Sequence, residues 1–216
     1  FDLLHKAYKR GWQRDSEDVA AFAAENSRWL PDYALFMACK RYFGMKAWTE
    51  WPDDIRLRQD GAVEKYRTLL QEDVEFFVYL QYLFFRQWNR LRDYVHAQGI
   101  RIIGDLPIYV AMDSADVWAE TEFFQLDETL IPKAVSGVPP DYFSADGQLW
   151  GNPLYDWEHM REDGFGWWIR RIDGAGKLYD IIRIDHFRGF ESYYSIPAGN
   201  KTCLLYTSPS PRDTER

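Results

Sequence analysis

Apolar residues in the first hundred positions recur at helical spacing. Pro31 and Asp32, followed by an apolar run, predict a helix with proline in its first turn and a stop at Gly44. Residues 48–52 are predicted as an aromatic loop that ends in proline. The clearest helix comes next and is ended by Gly99, because apolar side chains recur there every three or four residues; they are Phe77, Leu80, Phe84, Trp88, Leu91 and Val95.

The period of the pattern changes after this helix. Residues 100–110 contain a short β-branched run, which is typical of a buried strand in a parallel sheet, and Asp105 ends its apolar part. Residues 180–186 repeat this pattern, with Asp185 at the C-terminal end of a second predicted strand. The sequence therefore predicts two strands that each carry a carboxylate where they end.

The segments between the two strands complete the predicted topology. Residues 111–160 are rich in Asp, Pro, Gly and aromatic residues and predict a long structured loop or a small insertion, and residues 164–180 predict a helix. Acids at the ends of strands that alternate with helices are typical of a (β/α)₈ barrel, of which this chain holds roughly two strands. A doubly wound open sheet also places its ligands at strand ends, so the pattern leaves both folds open.

Composition narrows the class of partner. Hydrophobic residues make up 46% of the 216 residues, which is enough for a packed core. The net charge of −8 argues against a nucleic-acid or anionic-membrane partner, since both favour a basic face. Aromatic residues reach 18%, with 10 Trp, 14 Tyr and 14 Phe. Their flat apolar faces and polar edges suit a sugar cleft, although most such rings belong to cores.

The two cysteines and the length of the apolar runs indicate where in the cell the protein is expected. Cys39 lies in a helical pattern and is predicted to be a small buried residue, and no disulfide framework is indicated, which fits a reducing cytoplasm. No apolar run approaches the ~18 residues that a membrane span needs. We expect a cytoplasmic protein.

Asp185 is the strongest candidate for chemistry. Arg183 lies two residues earlier and therefore on the same face of the strand, where it is expected to keep a buried carboxylate ionised. An ionised and fixed carboxylate can attack an anomeric carbon. A purely structural Arg–Asp pair is the alternative. Asp105 is a candidate on the same grounds at the end of the other strand. Two such acids at one barrel mouth make a functional role more credible for each of them.

Other chemistries find little support. The four histidines, including His186 beside Asp185, show no metal-ligand spacing, and we expect neither a metal nor another cofactor. The chain also lacks a glycine-rich phosphate loop and a GxSxG nucleophile motif. A second candidate region spans residues 137–155, punctuated by Gly and Pro, where Tyr142, Trp150 and Tyr155 are expected to project. It is either a substrate-covering loop or a plain connection with buried aromatic residues.

The last segment, residues 203–216, changes character. It has no hydrophobic period and contains two Ser-Pro steps. We interpret it as a non-native tail, the translated read-through of adapter DNA, so that the chain is an incomplete piece of a longer protein. A native disordered tail is the alternative. Cys203 falls in this segment.

Several stretches, in order, resemble the motifs of the 4-α-glucanotransferases (amylomaltases, or disproportionating enzymes). They are residues 104–110, 113–118, 137–155 and 183–190, and residues 25–36 and 48–52 also fit. The resemblance covers essentially residues 1–202. It implies an α-amylase-type barrel with a helical insertion at about 1–99, strands three and four at 100–110 and 180–190, and a lid or insertion at 111–160.

The resemblance also implies roles for individual residues. Asp185 is similar to the catalytic nucleophile, Arg183 to the arginine that holds it, and His186 and Asp105 to residues of the same sugar subsite. Substrate-binding roles are implied for the lid and the acceptor side, at Asp141, Tyr142, Trp150 and Asn152.

The implied reaction is transfer of α-1,4-glucan segments from a maltooligosaccharide donor to a sugar acceptor, with retention and through a covalent glucosyl–aspartate. Retention requires a second carboxyl group as acid/base, which in this family comes from a later strand, and nothing after His186 supplies it. The chain alone is therefore expected to be inactive. A non-catalytic glucan-binding fragment and an α-amylase-like hydrolase are the alternatives.

Overall fold

The computed structural model describes residues 1–142 and 144–204, and the chain divides after Ile100 into two compact units. The first unit is helical, as predicted. Its helices are α1 Asp2–Gly11, α2 Ser16–Glu25, α3 Leu30–Tyr42, α4 Asp53–Arg56, α5 Ala62–Leu69 and α6 Gln71–Ala97. The predicted aromatic loop contains a short 3₁₀ helix, Trp48–Glu50, and buries both of its tryptophans.

The first of the two predicted helices of this unit is confirmed at both ends, and the second is confirmed at its C-terminal end. Pro31 lies in the first turn of α3, where its missing N–H costs no helical hydrogen bond. Gly44 and Gly99 follow α3 and α6 with φ of 67° and 71°, the left-handed conformation that ends helices and favours glycine. Cys39 is fully buried in α3, as predicted.

Helix α6 carries the core of the first unit on its N-terminal half. Helices α1, α2 and α3 pack against it and bury Phe76, Phe77, Tyr79 and Tyr82. The predicted apolar stripe is buried only in part, because Phe84 is 48% and Leu91 51% exposed. The periodicity therefore predicted the helix correctly but not the extent of its cover.

The second unit mixes strands and helices. Its strands are β1 Ile103–Leu106, β2 Ala134–Val138, β3 Gln148–Pro153, β4 Ile181–Ile184 and β5 Tyr194–Pro197. Its helices are α7 Ala115–Ala119, α8 Trp157–Glu162 and α9 Gly166–Leu178, with 3₁₀ turns at Thr121–Phe123 and Phe187–Phe190. The predicted strand–insertion–helix–strand order is confirmed.

Strands β1 and β4 form a parallel pair, in register from Ile103 opposite Ile181 to Leu106 opposite Ile184. Both strands were predicted to be buried, and this is wrong for one face. Ile103 is 62% and Ile181 41% exposed, whereas Leu106 on the opposite face is buried. Helix α9 contacts both strands. Side chains alternate between the two faces of a strand, so the exposed face continues through Asp105 and Arg183.

The segment between β1 and β4 contributes two strands, β2 and β3, to a second sheet, whose third strand, β5, follows β4. Strands β3, β2 and β5 lie side by side in that order, and all neighbours are antiparallel. Residues 139–147 connect β2 to β3. The predicted small insertion is thus a two-stranded hairpin with short flanking helices, completed to a three-stranded sheet by β5.

The predicted non-native tail begins beside this sheet. The side chain of Cys203 is buried, its Sγ lies 2.5 Å from the carbonyl oxygen of Asp146, and its own carbonyl accepts a hydrogen bond from the Tyr194 hydroxyl at 2.9 Å. The first residue of the segment therefore has packing partners. Residues 205–216 lie outside the described residues.

Candidate active site

The exposed face of the parallel pair carries a forked ion pair. Arg183 on β4 is the register partner of Asp105 on β1, and its Nε and Nη2 donate to Asp105 Oδ1 and Oδ2 at 2.7 and 2.5 Å. This bidentate hydrogen bond lowers the pKa of Asp105 below its usual value and raises that of Arg183. The fork therefore holds an ionised carboxylate and an immobilised guanidinium on the exposed face.

This pairing corrects the sequence expectation that Arg183 holds Asp185. Neighbouring strands lie about 4.8 Å apart, whereas residues two positions along one strand are separated by roughly 6.6 Å. The carboxylate across the sheet is therefore the nearer partner. Asp185 acts on Arg183 only through a Coulombic interaction that further raises the pKa of the guanidinium.

Asp185 follows the last residue of β4 and is exposed rather than buried. Its Oδ1 accepts a hydrogen bond from the backbone N–H of His186 at 3.0 Å. His186 has a left-handed φ of 49° and begins the 3₁₀ turn after the strand. The turn directs the chain away from the strand, so that the carboxylate is left at its open end.

Two aromatic side chains, Trp150 and Tyr109, flank these residues and are called the aromatic wall below. The indole of Trp150, on β3, meets the imidazole of His186 edge to face, with ring centroids 5.0 Å apart. Its Nε1 donates to Gln148 Oε1 at 3.0 Å, and its side chain is partly exposed. The ring of Tyr109 lies 6.2 Å from the indole on another side. The antiparallel sheet thus brings Trp150 next to the residue that follows Asp185.

The predicted lid residues lie at the hairpin tip. Tyr142 is 98% exposed, which makes it the most accessible large side chain in the described part of the chain. Asp141 is partly committed to the turn, because its Oδ1 accepts the Ser144 N–H at 2.8 Å and its N–H donates to the Ser144 carbonyl at 2.9 Å. Phe143 lies outside the described residues.

Asn152 occupies a different position from the one expected of a sugar ligand. Its Nδ2 donates to the carbonyl of Val110 at 2.9 Å, and its Oδ1 accepts from the buried hydroxyl of Ser136 at 3.4 Å. Both ends of the amide are therefore used to join β2 and β3 to the segment after β1. The role implied for Asn152 by resemblance stays a prediction, and the contacts indicate a structural one.

The structure reveals a buried polar cluster that sequence reasoning missed. Tyr155, expected to project, is only 1% exposed, and its hydroxyl donates to the carbonyl of Ile108 at 2.6 Å. Arg171 on α9 donates to the same carbonyl at 3.1 Å and to the Tyr155 hydroxyl at 3.0 Å. No sequence pattern could have identified these contacts, since the partner is a backbone carbonyl 47 and 63 residues away.

The described residues contain no group of three or more His, Cys, Asp or Glu side chains arranged to hold a metal ion. Within the same part of the chain, no helix combines the length and apolar character needed to cross a bilayer. The candidate site among the described residues consists of Asp105, Arg183, Asp185 and His186.

Comparison with known proteins identifies the family of this chain. A family model described as 4-alpha-glucanotransferase matches residues 1–208. A 4-alpha-glucanotransferase of Clostridium butyricum is 51% identical over 201 residues, which are 93% of this chain and 41% of that protein. The amylomaltase of Streptococcus agalactiae, solved in complex with acarbose, superposes with a TM-score of 0.88 at 44% identity, over 94% of this chain and 41% of that one.

Strand-end carboxylates and a partly exposed aromatic wall lie on a mixed helix-and-strand fold that is similar to that of the amylomaltases. The chain spans about two fifths of the length of the relatives it matches. It belongs to the 4-alpha-glucanotransferase family. The resemblance drawn from the sequence motifs is thereby confirmed.

Proposed function

We propose that this chain is the nucleophile-bearing part of a 4-α-glucanotransferase that transfers α-1,4-glucan segments between maltooligosaccharides. The observation that carries the proposal is the position of Asp185, exposed at the end of β4 beside the Arg183–Asp105 fork and next to His186. The names of the relatives support the reaction class.

In the first step, a carboxylate oxygen of Asp185 forms a bond to the anomeric carbon of the donor while the glycosidic C–O bond breaks. The departing 4-oxygen takes up a proton and leaves as a hydroxyl. In the second step, the 4-hydroxyl of an acceptor sugar gives up a proton and attacks the same carbon, which releases Asp185 and restores the original configuration.

Both proton transfers need a second carboxyl group, about 5–5.5 Å from the nucleophile in retaining enzymes. Asp105 is unsuited to this task, since its fork with Arg183 lowers its pKa and thus keeps it ionised. We infer that the acid/base lies outside residues 1–204 and that this chain alone is inactive. Asp105 instead holds Arg183, whose fixed charge stabilises the carboxylate that leaves in the second step.

The acceptor side is assigned to the aromatic wall. Trp150 is partly exposed and beside His186, so its face can stack on the apolar C–H face of a sugar. Tyr142, at the exposed hairpin tip, is placed to cover the bound chain and exclude water. Exclusion of water favours transfer over the hydrolysis expected of an α-amylase-like enzyme.

We further propose that β1 and β4 are neighbouring strands of a (β/α)₈ barrel. Their parallel register, with α9 against both strands, fits one unit of such a barrel. The side chains on their exposed face would then point into the interior, where side chains from all eight strands fill the core.

The test uses a hybrid enzyme in which residues 1–202 replace the matching 201-residue segment of the Clostridium butyricum relative. The hybrid should convert maltotriose into glucose and longer oligosaccharides. Asp185→Asn should abolish this conversion, because an amide cannot form the glycosyl ester. Intact-mass measurement should detect an added maltosyl unit, the part of maltotriose that remains when glucose leaves, in the parent hybrid and not in the variant.

The matched control is Asp173→Asn, the same change at an exposed position of α9 where the carboxylate pairs with Lys177. Its activity should equal that of the parent. Full transfer activity in the Asp185→Asn hybrid would refute the assignment of the nucleophile. If the parent hybrid only binds maltooligosaccharides without turnover, the reading as a non-catalytic glucan-binding segment is favoured instead.

A further inference from the structure

The segment that follows β1 is held by three side-chain donors, of which Tyr155 is buried and Arg171 and Asn152 are partly buried. The carbonyl of Ile108 accepts hydrogen bonds from Tyr155 and Arg171, at 2.6 and 3.1 Å, and these two side chains also bond to each other at 3.0 Å. Two residues later, the carbonyl of Val110 accepts from Asn152 at 2.9 Å. Two carbonyls flanking Tyr109 are therefore fixed by side chains from β3, the residues after it, and α9.

The donors of this cluster are themselves held in place. The guanidinium of Arg171 lies over the rings of Trp167 and Trp168, 5.4 and 5.0 Å from their centroids, in the cation–π arrangement. Tyr155 is 1% exposed and its ring packs against Trp167, Trp168 and others. A buried network of this kind, with its donors matched to acceptors, rigidifies the backbone that it holds.

The residue between the two fixed carbonyls faces the aromatic wall. The ring of Tyr109 stacks on that of Tyr155, with centroids 5.9 Å apart and planes 19° from parallel, and lies 6.2 Å from the indole of Trp150. Burial raises the pKa of Tyr109 to about 12. Trp150 then meets His186 at 5.0 Å. A continuous series of ring contacts runs from the buried cluster to the residue beside Asp185.

We propose that Tyr155, Arg171 and Tyr109 are positioning residues for acceptor binding: they set the orientation of Trp150, on which the acceptor sugar stacks. The inference rests on the proposed function, since it assumes that Trp150 meets the acceptor. Tyr155 and Arg171 act through the carbonyl of Ile108, and Tyr109 acts through ring contact. Nothing in this arrangement requires any of the three to touch the reacting atoms.

Tyr155→Phe in the hybrid enzyme is the sharpest test, because it removes one hydroxyl and keeps the ring that contacts Tyr109. The expected result is a rise of about fivefold in the KM for the acceptor, the equivalent of one neutral hydrogen bond, with little change in kcat. A merely structural role would lower the amount of active enzyme and hence the apparent kcat, and would leave KM unchanged.

Tyr79→Phe is the matched control. Tyr79 is also 1% exposed, and its hydroxyl donates to Asp15 at 2.9 Å in the helical unit. It should lower the melting temperature as Tyr155→Phe does, yet leave the acceptor KM unchanged. An acceptor KM of Tyr155→Phe that equals that of Tyr79→Phe would overturn the proposal.

A second pair of variants keeps the test decisive if Tyr155→Phe fails to fold. Tyr109→Phe retains the ring and should behave as the parent, whereas Tyr109→Leu should raise the acceptor KM in the same way as Tyr155→Phe. Equal acceptor KM values for the two would count against the proposal.

Calorimetric titration with maltotriose separates this inference from the proposed function. If the parent hybrid binds maltotriose but does not transfer, the proposed function fails, and weaker binding by Tyr109→Leu alone would still support the positioning role. If transfer is intact and Tyr109→Leu binds and reacts as the parent does, the positioning role fails while the proposed function stands. A parent that neither binds nor transfers overturns both.

Discussion

Gly104 offers a quantitative test of how closely β1 is packed behind the candidate site. It lies immediately before Asp105 and on the opposite face of the strand. A Cβ at this position would lie 2.1 Å from Cγ and Cδ2 of Tyr179 and 2.4 Å from Cδ1. Rotation of the ring about χ2 leaves Cγ in place, so only a new χ1 rotamer or a backbone shift can clear these contacts. Gly104→Ala must therefore displace either the strand or the side chain of Tyr179, which lies two residues before β4.

The magnitude follows from this contact. Overpacking by one methyl group in a tightly packed site costs about 1–3 kcal/mol of unfolding free energy. Each kcal/mol corresponds to roughly 2–4 °C in a protein of 150–250 residues, so the melting temperature should fall by about 2–12 °C. Because Gly104 is the register partner of Ile182, displacement of β1 also disturbs the fork between Asp105 and Arg183.

Thermal unfolding followed by circular dichroism provides the measurement, with Gly174→Ala as control. Gly174 lies in α9, where an added Cβ has no heavy atom within 4 Å. Alanine is favoured over glycine inside a helix by about 1 kcal/mol, so this variant should melt higher than the parent. The reasoning is refuted if Gly104→Ala melts at or above the parent temperature, or if both variants shift in the same direction.

Three further outcomes are expected from local contacts. The fork holds the pKa of Asp105 below its usual value of 3.8 in the folded protein. The stability that the ionised carboxylate contributes is therefore present above the unfolded-state pKa and is lost as the pH falls through the lower folded-state pKa. Asp105→Asn should remove this loss and so flatten the acid side of a plot of melting temperature against pH. Burial raises the pKa of the Cys39 thiol to about 12, so in a Cys203→Ser background iodoacetamide should label it, at mildly alkaline pH, only after unfolding. Ser114→Ala removes the side-chain cap of α7 and should cost about 1 kcal/mol in chemical denaturation, with a smaller loss for Ser114→Asp.

Local sequence patterns predicted the helices and strands well, because helices and strands depend mainly on residues that are neighbours in the sequence. The stop at Gly99 and the change of period after it located β1, and the same logic located β4. Burial was predicted less well, as the exposed Ile103 and Ile181 show. An apolar pattern predicts that one face of a strand packs against other residues, but it does not identify those residues. The relatives are more than twice as long as this chain, which leaves the covering element undefined here.

Residue pairing was beyond the reach of the sequence. The expectation that Arg183 serves Asp185 came from spacing along one strand, whereas the register between strands decides the partner. Tyr155 shows the same limit, because its hydroxyl is matched by a backbone carbonyl that no residue type reveals. Motif resemblance named both carboxylates as site residues, which stays a prediction, but it could not divide their tasks.

That division of tasks gives the two carboxylates different chemistry in the proposed mechanism. Asp105 accepts hydrogen bonds from the guanidinium at both oxygens, which leaves it a weak nucleophile, and its lowered pKa keeps it ionised and without a proton to donate. Among the described residues, the hydrogen bond to the Asp185 carboxylate comes from the His186 N–H and goes to Oδ1. In the proposed mechanism, Oδ2 is the oxygen that attacks the anomeric carbon. An arginine that forked onto Asp185 would occupy both oxygens and slow the attack, so the pairing across the strands favours the reaction more than the pairing first expected.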